Sequence, residues 1–137
     1  MFYLNVLKEK LSTINSSIEI KTQGGIFTVE PVKTNNILLG VNVSNLGNNN
    51  FLPIEVFAVT ISLLICSENN EAQKGNAMRF KLGNDGLALN SVEGHVALVI
   101  YGQKKGNIVF RRITPISHIL AWAGICKNCR GFLKLLP

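Results

Sequence analysis

Leu4, Leu7, Leu11 and Ile14 recur at intervals of three and four residues near the start of the chain, with Asn5, Lys8, Glu9 and Ser12 between them. An apolar stripe at that spacing predicts an amphipathic helix over residues 2–15. The pattern then changes period. "SIEIKT" and "IFTVEPV" are β-rich runs on either side of Gly24-Gly25, which predicts a hairpin. Pro31 has no N–H to donate, so it marks the hairpin's end or an edge. After Asn35-Asn36, "ILLGVNV" predicts a third strand and completes an antiparallel meander.

Residues 51–66, "FLPIEVFAVTISLLIC", carry Glu55 as their single charge. Their length predicts a buried central helix, with Asn50 as its cap and Pro53 in its first turn. The polar stretch 67–90 is a long connection of the kind that is often functional. Ser91 then caps a segment, "VEGHVALVIYG", with Glu93 in the first turn and Gly102 as the stop. The same run would suit a buried strand. "NIVFRRI" predicts a strand, Thr114-Pro115 a helix start for "ISHILAWAGI", and "GFLKLL" a last strand.

The resulting expectation is a single α+β domain over residues 1–137. An N-terminal helix with a β-meander occupies 1–50, a buried helix 51–66 and a loop 67–90. A basic helix–strand–helix–strand unit fills 91–137. The chain has 137 residues and 47% apolar content, enough for one sizeable core. No apolar run reaches the roughly 18 residues of a membrane span. The first residues do not show the basic-then-apolar order of a signal peptide, and the cysteine count is an odd three. A reducing cytoplasm and no membrane are therefore expected.

Charge sharpens the picture. Residues 1–93 hold seven Lys/Arg against eight Asp/Glu, whereas residues 94–137 hold seven Lys/Arg and no acid, so the net +6 comes from the last third. Such asymmetry points to a polyanion, chiefly nucleic acid.

The motifs that carry chemistry are sparse. Cys126-Lys127-Asn128-Cys129 is one Cys-x-x-Cys pair, but a structural zinc site needs four ligands, and Cys66, His95 and His118 are isolated. The pair also follows a helix C-terminus, the wrong end of the dipole for a redox thiolate. Glu19-Ile20-Lys21 has the Glu-x-Lys form of a metal-dependent nuclease, without an acid on a preceding strand. Phosphate-binding glycine motifs are missing, and Asp85 is the only aspartate. No catalytic group, metal ligand or cofactor is assigned, and the reading leans away from an enzyme.

In the C-terminal helix Ile116, Ile119, Leu120 and Ala123 share one face, leaving His118, Ala121, Trp122 and Ile125 opposite. Arg111-Arg112 precede this helix, and Lys127, Arg130 and Lys134 follow it. Over residues 107–137 the order strand, helix, basic turn, strand is similar to the end of a winged-helix DNA-binding domain. The resemblance implies phosphate contacts from Lys104, Lys105, Arg111, Arg112, Lys127, Arg130 and Lys134, with His118 nearer the bases. Trp122 and Ala121 stand where recognition helices carry polar donors, which points away from sequence-specific groove reading. The expected function is non-enzymatic nucleic-acid binding, DNA ahead of RNA, by a homodimer with Trp122 and Ile125 at its interface. The alternative is an assembly module without nucleic acid; the third is a metal-dependent nuclease-like enzyme.

Overall fold

A computed structural model describes residues 2–137. Helix α1 (Phe2–Ser12) turns Leu7 and Leu11 fully inward, and Ile14 follows into the core after the helix has ended. Strands β1 (Ile18–Thr22), β2 (Gly25–Thr34), β3 (Ile37–Val43) and β4 (Phe51–Pro53) form an antiparallel sheet in that order. The expected meander is present with a fourth strand added. Asn35 and Asn36 both take positive φ, 52° and 64°, the geometry of a tight two-residue hairpin turn. Registers Ile20↔Phe27 and Val29↔Val43 bring alternate residues to one face, which is the buried one. Gly40 is required where β4 joins, since a Cβ there would run into the Leu52 carbonyl oxygen.

Helix α2 (Ile54–Cys66) buries Ile54, Val56, Phe57, Thr60, Ile61 and Leu64. Its N-cap is Pro53, the last residue of β4, not Asn50, because residues 51–53 are used in sheet pairing first. The lone polar member of the buried face is satisfied locally: the Thr60 hydroxyl donates to the Val56 carbonyl at 2.8 Å. α2 packs on α1, on β3 of the meander and on the strands beyond it, so it is the shared wall of the molecule.

Residues 67–90 are more organised than a plain loop. They hold strand β5 (Glu71–Gln73), two short 3-10 turns and a small core of their own, in which Ala77, Leu82 and Leu87 meet Ala97 and Val109. Helix α3 (Val92–Val99) follows, with the Ser91 hydroxyl accepting from the Gly94 N–H at 3.1 Å. Helix is thus the correct choice for this segment, and the Ser91 cap is as expected.

The run "NIVFRRI" is not a strand. Val109 is buried in the small core, while the backbone N–H groups of Arg112 and Ile113 donate to the Glu93 carboxylate at 2.8–3.1 Å. Those donors go to a side chain, so no ladder forms. Helix α4 (Ile113–Trp122) therefore begins one residue before Thr114, and its first N–H groups are capped by a carboxylate from α3. Strands β6 (Cys126–Asn128) and β7 (Phe132–Leu135) close the chain in an antiparallel sheet of order β5-β7-β6. No helix among the described residues is long and apolar enough to cross a membrane.

Glu93 is 1% exposed, and burial pushes its carboxyl up from 4.5 to about 7, against the opposing pull of the Arg112 and Ile113 N–H groups and the Arg112 and Arg111 charges. A folded-state pKa above the unfolded one contributes stability below pH ~4.5 that is lost as pH rises through about 7. Relative to Glu93→Gln, which stays neutral, the native chain should lose about 3 kcal/mol of unfolding free energy between those limits. Denaturant unfolding of both proteins across pH 4–8 measures it, and parallel curves would show that the carboxylate is not desolvated.

Candidate nucleic-acid interface

Strand β5 ends at Gln73 because Lys74 is taken up by other partners. Its N–H donates to the Gly131 carbonyl at 2.9 Å, and its own carbonyl accepts the Glu93 N–H at 3.0 Å. The backbone of Lys74 is thereby clamped between the β6–β7 turn and the first turn of α3. Glu93 also holds the N–H of Arg112, so the residue before it, Arg111, is delivered to the same rim. Arg79 arrives from the turn closed by Phe80 N–H on the Asn76 carbonyl at 3.1 Å.

Two adjoining hollows result. One, of about 580 Å³, is walled by Lys74, Arg79, Met78 and Arg111 with Gly131 at its edge. The other, of about 380 Å³, lies between the β1–β2 turn and α4 and is lined by Gln23, Lys74, Arg111, Thr114, Ser117 and His118. Among the described residues no carboxylate lines either one. Lys74 has its pKa lowered, first by burial, with Arg111 adding in the same direction and Cys129 opposing. A half-buried lysine beside two exposed arginines, without an acid in the lining, is an arrangement that an anion relieves.

The cations expected from the sequence separate into groups. Arg111 lines both hollows, His118 lines the second, and Arg130 is exposed in the turn beside Gly131. The His118 Nδ1 lies 2.8 Å from the Thr114 carbonyl oxygen, and its ring stands edge-on to Phe27 at 6.2 Å. Arg112 is committed elsewhere, with its guanidinium 3.5 Å from the Tyr101 ring centroid and 4.8 Å from that of Phe110. Lys104 and Lys105 are exposed in the α3–α4 connection, and Lys127 and Lys134 face each other across β6 and β7, with Glu71 opposite Lys134 on the other flank. None of these five lines either hollow.

Lys74 and Arg79 are the members that charge counting passes over, because they fall in the balanced first 93 residues. Their local signal was available: residues 72–84 carry Lys74, Arg79 and Lys81 and no acid.

One further expectation is corrected. Ile125 is 2% exposed, not on an outward face, because α4 ends at Trp122. Gly124 takes φ 76°, its N–H donates to Ala121 and the Ile125 N–H donates to Leu120, a closing motif that swings Ile125 inward. Trp122 is partly buried beneath α1, with the Lys10 ammonium 5.4 Å from its ring. Glu19 and Lys21 are exposed on β1, and no group of three or more His, Cys, Asp or Glu converges among the described residues.

No protein-family model, curated protein or solved structure matches this chain.

All three cysteines are free, with Cys66 exposed, Cys129 partly so and Cys126 buried on β6, where burial pushes its thiol up to about 12. A thiol reagent at pH 8 should therefore modify Cys66 rapidly in the native protein and Cys126 only on unfolding. Peptide mapping after brief labelling checks the order, and early labelling of Cys126 would contradict it.

Proposed function

We propose that this chain binds nucleic acid through the cleft of Lys74, Arg79 and Arg111. The observation that carries the reading is that these three cations line one open, acid-free depression beside the first turn of α4. The protein acts as a binding module in this reading, with the phosphate backbone as the main contact and DNA ahead of RNA. Arg130 extends the cleft along the β6–β7 turn, and His118 forms its inner end. Lys104, Lys105, Lys127 and Lys134 contribute a longer-range positive field that draws the polyanion in.

The topology supports the reading. The succession α2, β5, α3, α4, β6, β7 with sheet order β5-β7-β6 follows the element order of a winged-helix domain, and in this reading α4 would correspond to its recognition helix. Here, however, β1 and Phe27 lie against α4, and none of its residues is fully exposed. Insertion of α4 into a groove is therefore not part of the proposal; the phosphates pass along the edge of α4.

Three phosphate contacts should lower affinity roughly 20- to 40-fold between 50 and 200 mM salt. Lys74→Ala with Arg111→Ala should weaken low-salt binding and flatten the salt dependence by about two contacts' worth. Salt-titrated anisotropy on random-sequence DNA and RNA measures both. Failure of both polymers to bind at low salt would end the proposal.

A second reading, self-association, is favoured by one observation: β3 exposes Ile37 (65%) and Leu39 (42%) next to Phe51 (40%) on β4. A homodimer formed on this sheet should fall to monomer mass on Ile37→Lys in light scattering. A monomer at every concentration of the native chain removes the reading.

A further inference from the structure

We infer that the cationic cleft opens into a pocket for unpaired bases, so that the polymer this chain takes is single-stranded. The inference rests on the phosphate reading of the cleft. On the far side of Arg111 lies a third hollow, of about 910 Å³, walled by Leu46, Met78, Ile108, Phe110 and Pro115 with Asn45 at its margin. Arg111 lines all three hollows and Met78 two of them, so the apolar and cationic spaces meet at these side chains. The Arg111 Nη1 lies 3.0 Å from the Met78 sulfur, which places the guanidinium at the junction.

The walls are open to solvent. Ile108 is 78% exposed, Met78 71% and Phe110 39%. They stand on segments whose backbones are pinned, one by Glu93 and the other by Asn76, so the backbone beneath the walls is ordered in folding. An apolar hollow of this size next to an acid-free cationic cleft has the same division as a nucleotide, whose flat, weakly polar base lies one sugar away from its phosphate. The volume lies in the range of small-molecule sites, large enough to admit a base. In a duplex the base faces are stacked inside and only polar edges are presented. Met, Ile and Phe side chains offer those edges no donors, whereas they pack well on an unstacked base face. Asn45 supplies one amide for a base edge.

The test compares three end-labelled ligands of about 12 nucleotides: oligo-dT, the same backbone carrying abasic sites, and a duplex. Native protein should bind oligo-dT roughly tenfold more tightly than either of the others. Ile108→Ser should bring oligo-dT down to the abasic level while leaving abasic binding and its salt dependence unchanged. Phe110→Ala should do the same; because Phe110 also stacks on Arg112, Ile108→Ser decides the matter if the Phe110 variant does not fold. Equal affinity for all three ligands, reduced together by Lys74→Ala, would overturn the base pocket and leave the phosphate cleft standing. No binding of any ligand would overturn both.

Discussion

The Glu93 carboxylate is fully enclosed, and it accepts from the backbone N–H groups of Arg112 and Ile113 while its own N–H donates to Lys74. Three segments distant in sequence are tied at this one residue. The end of β5, the first turn of α3 and the start of α4 cannot move independently without leaving a buried charge or a backbone donor unpaired. The junction rests on directional hydrogen bonds as well as on packing. The hydrogen bonds specify it, and the position of Arg111 relative to Lys74 follows from them.

The long elements were legible in the sequence for different reasons. α1 follows its apolar spacing, the first three strands their β-rich runs between turn residues, and α2 its length, whereas α3 was marked by its Ser91 cap on a run that also suited a strand. The failures share a cause: a backbone partner that lies far away in sequence. "NIVFRRI" has the alternation of a strand, yet the donors at its end are taken by a carboxylate 19 and 20 residues upstream. The strands β4, β5 and β6 have three residues each, too few for a period to register. Ile125 was misplaced because helical projection was carried three residues past the last helical position. At the site, Arg111 and His118 were visible in the basic last third. Lys74 and Arg79 were hidden by acids such as Glu68 and Glu71 that are close in sequence and yet do not line the cleft.

Burial divides the two adjacent arginines. Arg112 is stacked on Tyr101 and Phe110, and its charge is spent beside Glu93 inside the fold. Arg111 points the other way, to Met78 and the cleft. One dipeptide thus supplies both a cation committed to the fold, Arg112, and one that lines the cleft, Arg111. A basic dipeptide in a sequence therefore does not imply two surface charges; the half-buried member here is identified by its aromatic neighbours.

This division also connects the two parts of the proposed site. Phe110 is touched by the Arg112 guanidinium on one side and faces the apolar hollow on the other. Arg112 thus stiffens a wall of that hollow without entering it, while Arg111, one residue on, closes the rim where the hollow meets the cationic cleft. Glu93 therefore bears on both spaces by two different groups, on the cleft through its backbone N–H to the Lys74 carbonyl and on the hollow through its carboxylate, which holds the Arg112 backbone beside Phe110. Loosening that single anchor would disturb the cleft and the hollow together, so the proposed phosphate and base contacts share one support.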